Sequence, residues 1–311
     1  MTAVGAPRHL ALVGATASGK SALALEVARR LGDVELVAVD SMQVYRGMDI
    51  GTAKPTPEQQ AEVPHHLLDL ADPAEDFSVA RFQLAATAAL AGIEGRGHRA
   101  LLVAGTGLYL RAVVDDLDVP GRYPAVRDEL EAEPDTAALH RRLAALDRDA
   151  AARMAPSNRR RVVRALEVTI GAGRPFSSFG PGLATHGESR FDQVGVWLPR
   201  RVVAGRIAER VAAMVDGGLV DEARRLAART RLGRTAGQAL GYKEVLAHLR
   251  GERTLDEAVA LAVRRTQSFA RRQRVWFRRD PRITWFGTGA NPLAVLPALL
   301  GEWSAPCRPS G

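Results

Sequence analysis

Cysteine is almost absent: Cys307 is the only one in 311 residues, which excludes an internal disulfide and leaves no thiolate set for zinc. Long apolar runs are missing as well. No stretch approaches the roughly 20 residues of a membrane-spanning helix, and residues 1–9 lack the apolar core of a secretory signal. The expectation is a cytoplasmic protein with no membrane segment. Internal repeats and long low-complexity segments are also lacking. Lysine is scarce. Only Lys20, Lys54 and Lys243 stand among 43 basic residues, so arginine carries nearly all of a net charge of +8 and a pI of about 10.4. Such a charge suits a polyanionic partner, although a GC-rich genome gives the same arginine preference without one.

What remains is ordinary globular material, 46% hydrophobic and 25% charged, long enough for one large domain or two modest ones. Residues 9–14 read as a short buried strand entering a glycine-rich turn, and 20–31 follow with helical periodicity through Leu23, Val27 and Leu31. A second buried strand at 35–39 ends at Asp40. A helix over 78–94 precedes a third strand at 100–104, which runs into Gly105-Thr106-Gly107. Alternating strands and helices predict an α/β fold with a parallel sheet. From about residue 112 the pattern turns helical and arginine-rich (123–171), then Gly-, Pro- and Ser-rich (172–191). A strand at 193–198 and helices over 200–229, 238–249 and 255–277 complete the chain. The expected organisation is a P-loop NTPase-like core of 1–112 and 191–311, with a mostly helical insertion at 113–190.

Gly14, Ala15, Thr16, Ala17, Ser18, Gly19, Lys20 and Ser21 fit G-x-x-x-x-G-K-[ST], between a strand and a helix as that pattern requires. Consecutive main-chain N–H groups at a helix start form a nest for an anion. Lys20 adds a positive charge, and the Ser21 hydroxyl is the expected protein ligand of a magnesium ion. Phosphate binding follows; which phosphate compound binds does not. Asp40, at the carboxyl edge of the same sheet, is equally open as metal ligand, base or turn cap.

The residues after Asp40 narrow this. Asp40-Ser41-Met42-Gln43-Val-Tyr45, Gly51-Thr-Ala-Lys54-Pro, Pro64-His-His-Leu-Leu-Asp69, Gly105-Thr106-Gly107-Leu-Tyr109, Asn158 to Val168, Gly241-Tyr-Lys243-Glu and Thr266 to Phe277 together resemble the tRNA dimethylallyltransferase (isopentenyl transferase) family over about residues 8–286. Ala15, Ala104 and Arg159 depart from the family's usual proline, glycine and aspartate.

The resemblance implies a loop that holds dimethylallyl diphosphate with Mg2+, and an acceptor adenosine in a tRNA anticodon stem-loop. Asp40 then takes the N6 proton, worth about 10²–10⁴-fold in rate, and Thr106 stabilises charge on the diphosphate. Arg210 is expected to supply a second diphosphate cation. The adenosine must leave its stack, and Gln43 is expected to read it by a bidentate amide contact. Together with Asp40, Ser41, Met42 and Gln43, the tRNA-facing residues expected are Arg160, Arg161, Arg164, Arg271 and Arg272, with Arg159, Arg264, Arg265 and Arg274 in the same two clusters. A monomer is expected. Lys243 and His65 receive no chemistry. A small-molecule kinase or NTPase, an enzyme that prenylates free nucleotides, and a non-enzymatic RNA-binding protein remain as alternatives.

Overall fold

The computed structural model describes residues 9–180, 182, 183 and 185–304; Cys307 lies outside them. Six parallel strands form one sheet in the order β3-β2-β4-β1-β5-β6: β1 His9–Val13, β2 Val34–Val39, β3 His65–His66, β4 Arg99–Ala104, β5 Phe191–Trp197 and β6 Ile283–Gly287. Of the four central strands, β1, β2 and β4 are nearly continuous apolar runs because both faces of the sheet are covered, the usual situation of a parallel sheet.

Alternation along each strand divides the core. Ala11, Val13, Val37, Val39, Leu102 and Ala104 face one layer, with α3 (Val79–Gly95) contributing Phe82, Leu90 and Ile93. Leu10, Leu12, Leu36 and Leu101 face the other, against Leu23 and Val27 of α1 (Lys20–Leu31). Each fully buried leucine or valine stabilises the fold by about 1.5–3 kcal/mol before its entropy cost. The short α2 (Pro57–Glu62) begins at a capping box in which Thr56 and Gln59 exchange hydrogen bonds, and α4 (Gly107–Val114) starts directly after β4.

The chain divides into two compact units, one of Met1–Val114 with Glu188–Gly311 and one of Asp115–Gly187. The second is helical: α5 Pro124–Ala132, α6 Thr136–Leu146, α7 Arg148–Ala152 and α8 Arg159–Ala172 pack around Leu130, Leu139, Leu143, Val162 and Leu166. Its buried Glu167 accepts hydrogen bonds from the Tyr123 main-chain N–H and from the guanidinium groups of Arg127 and Arg164. A buried carboxylate is tolerated when donors surround it in this way.

In the first unit, the helical stretch expected over 200–229 breaks at Gly217-Gly218, where Gly218 adopts φ 97°, giving α9 (Arg200–Asp216) and α10 (Leu219–Arg229). Helices α11 (Tyr242–Leu249), α12 (Leu255–Phe277) and α13 (Leu296–Ser304) follow. Among the described residues no helix is long and apolar enough to cross a membrane.

Candidate active site

Three neighbouring strands end side by side. β1 leads into the Gly14–Gly19 loop, β2 into Asp40, and β4 into Gly105-Thr106. The β2 and β4 ends are tied together, since the main-chain N–H groups of Gly105 and Thr106 both donate to Val39 O, at 3.2 and 3.3 Å. Ligands bind at this carboxyl edge in open α/β sheets because the loops diverge there.

The phosphate loop alternates in handedness. Ala17 takes φ 60° and Gly19 φ 83°, a pattern that turns successive N–H groups to one side. Gly19 can only be glycine, because a β carbon there would lie 2.7 Å from Pro292 Cβ. Gly14, Ala15 and Ser18 are buried beneath the loop, and Ser18 lines a cavity of about 10 Å³ with Trp197 and Arg274, its Oγ without a partner among the described residues. Ser21 is exposed on the first turn of α1. Burial pushes the Lys20 ammonium down to about 8, with the Arg210 guanidinium adding to the shift and Asp40 opposing it. Arg210, on α9, donates to Thr16 Oγ1 at 3.4 Å, and burial lowers its basicity while Asp40 raises it. From sequence Arg210 is no more than a guess for a second diphosphate cation, with a surface arginine the alternative; its guanidinium reaches the loop.

Asp40 divides its oxygens. Oδ1 accepts the main-chain N–H of Met42 at 2.8 Å and, more weakly, that of Gln43 at 3.4 Å. Oδ2 lies 3.5 Å from the point where a β carbon on Gly105 would stand, and Lys20 Nζ lies 3.7 Å from that same point. A carboxylate oxygen, an ammonium and the bare Gly105 backbone therefore converge. Thr106 Oγ1 accepts the Ser41 N–H at 3.3 Å, so the amides of Ser41, Met42 and Gln43 are used to shape the turn.

Gln43 differs from expectation. Its Nε2 donates to Thr52 O and Ala53 O, both at 3.1 Å. Two carbonyl neighbours fix which end of the amide is nitrogen, and both N–H bonds are taken. Only Oε1 is left, so the bidentate contact expected from sequence is replaced by a single acceptor. The surrounding loop is tightly held. Lys54, its side chain 3% exposed, donates to Tyr45 O, Asp49 Oδ1 and Asp69 Oδ1 at 2.6, 2.7 and 2.5 Å. Ala53, Leu67 and Asp69 adopt φ of 50°, 67° and 56°.

Sequence reasoning gave Gln273 no role. On α12, and almost fully buried, it accepts the Thr16 N–H at 2.8 Å through Oε1 and donates to Gly105 O at 2.7 Å through Nε2. Its signal was available, as the one uncharged residue between Arg271-Arg272 and Arg274. Trp276 of the same helix packs on Gly107, where a β carbon would approach its Cε2 to 2.7 Å.

The arginine clusters separate into free and committed members. Arg160, Arg161, Arg264 and Arg271 are exposed and without a side-chain partner among the described residues, and exposed Arg272 donates to Ser268 Oγ at 3.3 Å. Arg164 corrects the expectation of an RNA contact: its guanidinium is committed to Glu167 at 2.8 Å and Pro120 O at 2.9 Å. Arg159 closes the carboxyl end of α5, donating to the carbonyls of Leu130, Glu131, Glu133 and Pro134. Arg265 pairs with buried Glu244 at 2.6 Å, and Arg274 donates to Leu198 O and lies 3.5 Å over the Trp197 ring. Lys243 donates to Gln238 Oε1, His65 contacts Val63 O and His66 contacts Glu35.

The sequence matches the family model described as IPP transferase over residues 43–280, and one described as isopentenyl transferase over 8–69. It is 51% identical over 300 residues to the tRNA dimethylallyltransferase of Streptomyces coelicolor, covering 94% of this chain and 95% of that one. The solved full-length tRNA isopentenylpyrophosphate transferase of Bacillus halodurans superposes with a TM-score of 0.69 at 39% identity, over 95% of each chain. A eukaryotic dimethylallyltransferase solved while acting on tRNA gives a TM-score of 0.75 at 25% identity, over 91% of this chain and 74% of that one. A phosphate loop, an aspartate and a glycine-threonine turn held at one sheet edge, in a sequence related at this level along nearly its whole length, place the chain in the IPP transferase family.

Proposed function

We propose that this chain transfers the dimethylallyl group of dimethylallyl diphosphate to N6 of the adenosine immediately 3′ of the anticodon, in tRNAs that read codons beginning with U. The observation that carries the reading is Asp40 Oδ2 beside Lys20 Nζ at the bare backbone of Gly105. One group accepts a proton and the other holds an anion, and Gln273 Nε2 approaches the same point to 3.4 Å.

Main-chain N–H groups of the Gly14–Ser21 loop, Lys20 and Arg210 hold the diphosphate. Thr106 Oγ accepts the Ser41 N–H, so its own hydroxyl proton is left to donate to a diphosphate oxygen as charge builds there. The bond from the allylic carbon to oxygen breaks, N6 of adenosine bonds to that carbon, and the N6 proton passes to Asp40 Oδ2. Gln43 Oε1 accepts the second N6 hydrogen and turns the amine towards the donor.

No group of three or more acidic, histidine or cysteine ligands occurs among the described residues. The exposed Ser21 hydroxyl beside the loop suits an ion that takes most of its ligands from diphosphate and water, as Mg2+ commonly does. When bound, Mg2+ supplies charge neutralisation to the leaving diphosphate. Arg160 and Arg161 on the insertion, and Arg271 and Arg272 on α12, hold RNA phosphates. The reading includes a cytoplasmic monomer.

The test is incubation with labelled dimethylallyl diphosphate, Mg2+ and either an unmodified anticodon stem-loop or free AMP. Label is expected on the stem-loop adenosine. Transfer to AMP alone, or stabilisation by ATP and not by the prenyl diphosphate, would overturn the reading.

A further inference from the structure

The Gly241-Tyr242-Lys243-Glu244 motif has no part in the chemistry above, yet its tyrosine sits in a buried polar cluster whose donors and acceptors are matched. Glu222 of α10 is 4% exposed. Its carboxylate accepts the main-chain N–H groups of three consecutive residues, Asp49 at 3.2 Å, Ile50 at 3.0 and 3.1 Å, and Gly51 at 3.3 Å. Tyr242 completes the set: its hydroxyl donates to Glu222 Oε1 and accepts from the Gly51 N–H at 3.2 Å. Burial, reinforced by the Glu222 carboxylate, pushes the tyrosine hydroxyl far above its ordinary range and keeps it a donor. Successive main-chain N–H groups converging on an anion form a nest. Here the anion belongs to the protein.

Steric detail makes the arrangement specific. A β carbon on Gly51 would lie 2.6 Å from Tyr242 Cζ and 2.8 Å from Leu219 Cδ1. The glycine is required by close packing, since its φ is not in the left-handed region. The next two residues are Thr52 and Ala53, whose carbonyls hold both N–H bonds of the Gln43 amide. Rotation of that amide by half a turn would set its oxygen against two carbonyl oxygens. The sequence of contacts runs from Glu222 and Tyr242, through the 49–53 main chain, to the atom that Gln43 presents.

We infer that Glu222 and Tyr242 are positioning residues of the acceptor site: by fixing the 49–53 main chain they lock Gln43 as an acceptor only, so that the site takes a purine bearing an exocyclic amine over one without it. This rests on the tRNA-modifying reading above and assigns its base selectivity to two residues that touch no substrate.

The test uses the full chain with Mg2+ and inorganic diphosphate in the donor loop. Anticodon stem-loops carrying adenosine, or purine riboside without the 6-amino group, are titrated in. The wild type is expected to prefer adenosine by about tenfold or more, since without the amine its contacts with both Gln43 and Asp40 are lost. In Tyr242→Phe and Glu222→Gln the ratio is expected to fall several-fold, the contact of the amine with Asp40 remaining, while diphosphate affinity stays as in the wild type, which also reports that the variants are folded. A ratio unchanged in both variants, with transfer to the stem-loop intact, overturns the positioning role alone. Failure of the wild type to bind either stem-loop overturns the tRNA reading and this inference with it.

Discussion

Gln273 Oε1 accepts the main-chain N–H of Thr16 at 2.8 Å, joining the last third of the chain to the phosphate loop across 257 residues of sequence. The other end of the amide holds Gly105 O, so one side chain spaces the donor loop from the turn that carries Thr106. Gln273→Leu leaves an amide and a carbonyl unpaired, each worth about 1–3 kcal/mol when buried. A fall in the denaturant midpoint together with slower single turnover is expected. Gln273→Glu keeps the acceptor for Thr16 but sets a buried carboxylate oxygen against Gly105 O, so it should recover none of the stability.

Asp40→Asn separates two duties of one residue. The variant Oδ1 still accepts the Met42 N–H, so the turn is kept, and the base is removed. Turnover should drop by about 10²–10⁴-fold, with stem-loop affinity close to wild type. Equal losses in binding and turnover would show that Asp40 is only a turn cap.

Donor affinity should depend on pH through Lys20. Its folded value of about 8 lies below the ordinary 10.5, so the unfolded chain holds the proton more tightly. The cost of burying the charge is fully present below pH 8 and is relieved as pH rises from 8 to 10.5, so this group's contribution to stability increases across that window. Donor binding has the opposite sign, because a bound diphosphate favours the ammonium. Affinity should be level below pH 8 and fall above it by up to about tenfold per pH unit, with proton uptake on binding. Calorimetry in buffers of different ionisation enthalpy reads both.

Arg271 and Arg164 should behave differently although both belong to arginine-rich motifs. Arg271→Ala removes an exposed cation without a partner and should reduce the slope of log affinity for tRNA against log salt by about one. Arg164→Ala removes a partner of buried Glu167. It should lower the melting temperature of the insertion and leave the salt slope unchanged.

Much of this organisation was legible in sequence for identifiable reasons. Three of the central strands, β1, β2 and β4, are largely apolar runs that end in Gly14, Asp40 or Gly105, and hydrophobic burial on both faces requires such runs. The edge strands were not legible. β3 contributes only His65 and His66, and β6 follows α12 after Arg278 to Arg282. The phosphate loop carried its own pattern, whereas the orientation of Gln43 depends on carbonyls nine and ten residues later that composition does not reveal. Adjacent arginines were indistinguishable: Arg159 closes a helix end while Arg160 stands in solvent. Only the position of acceptors in space separates them.

The Lys54 knot has a consequence for the thermodynamics of recognition. Three non-glycine residues of the two segments that Lys54 joins, Ala53 before α2 and Leu67 and Asp69 after β3, sit at positive φ, each at a cost on the order of 1 kcal/mol that the surrounding contacts sustain. A segment constrained in this way has little conformational freedom to surrender when a nucleic acid arrives. Under the proposed reading the penalty of capture should fall mainly on the RNA, as lost stacking of an extruded base, so stem-loops with loosely stacked loops should bind more tightly.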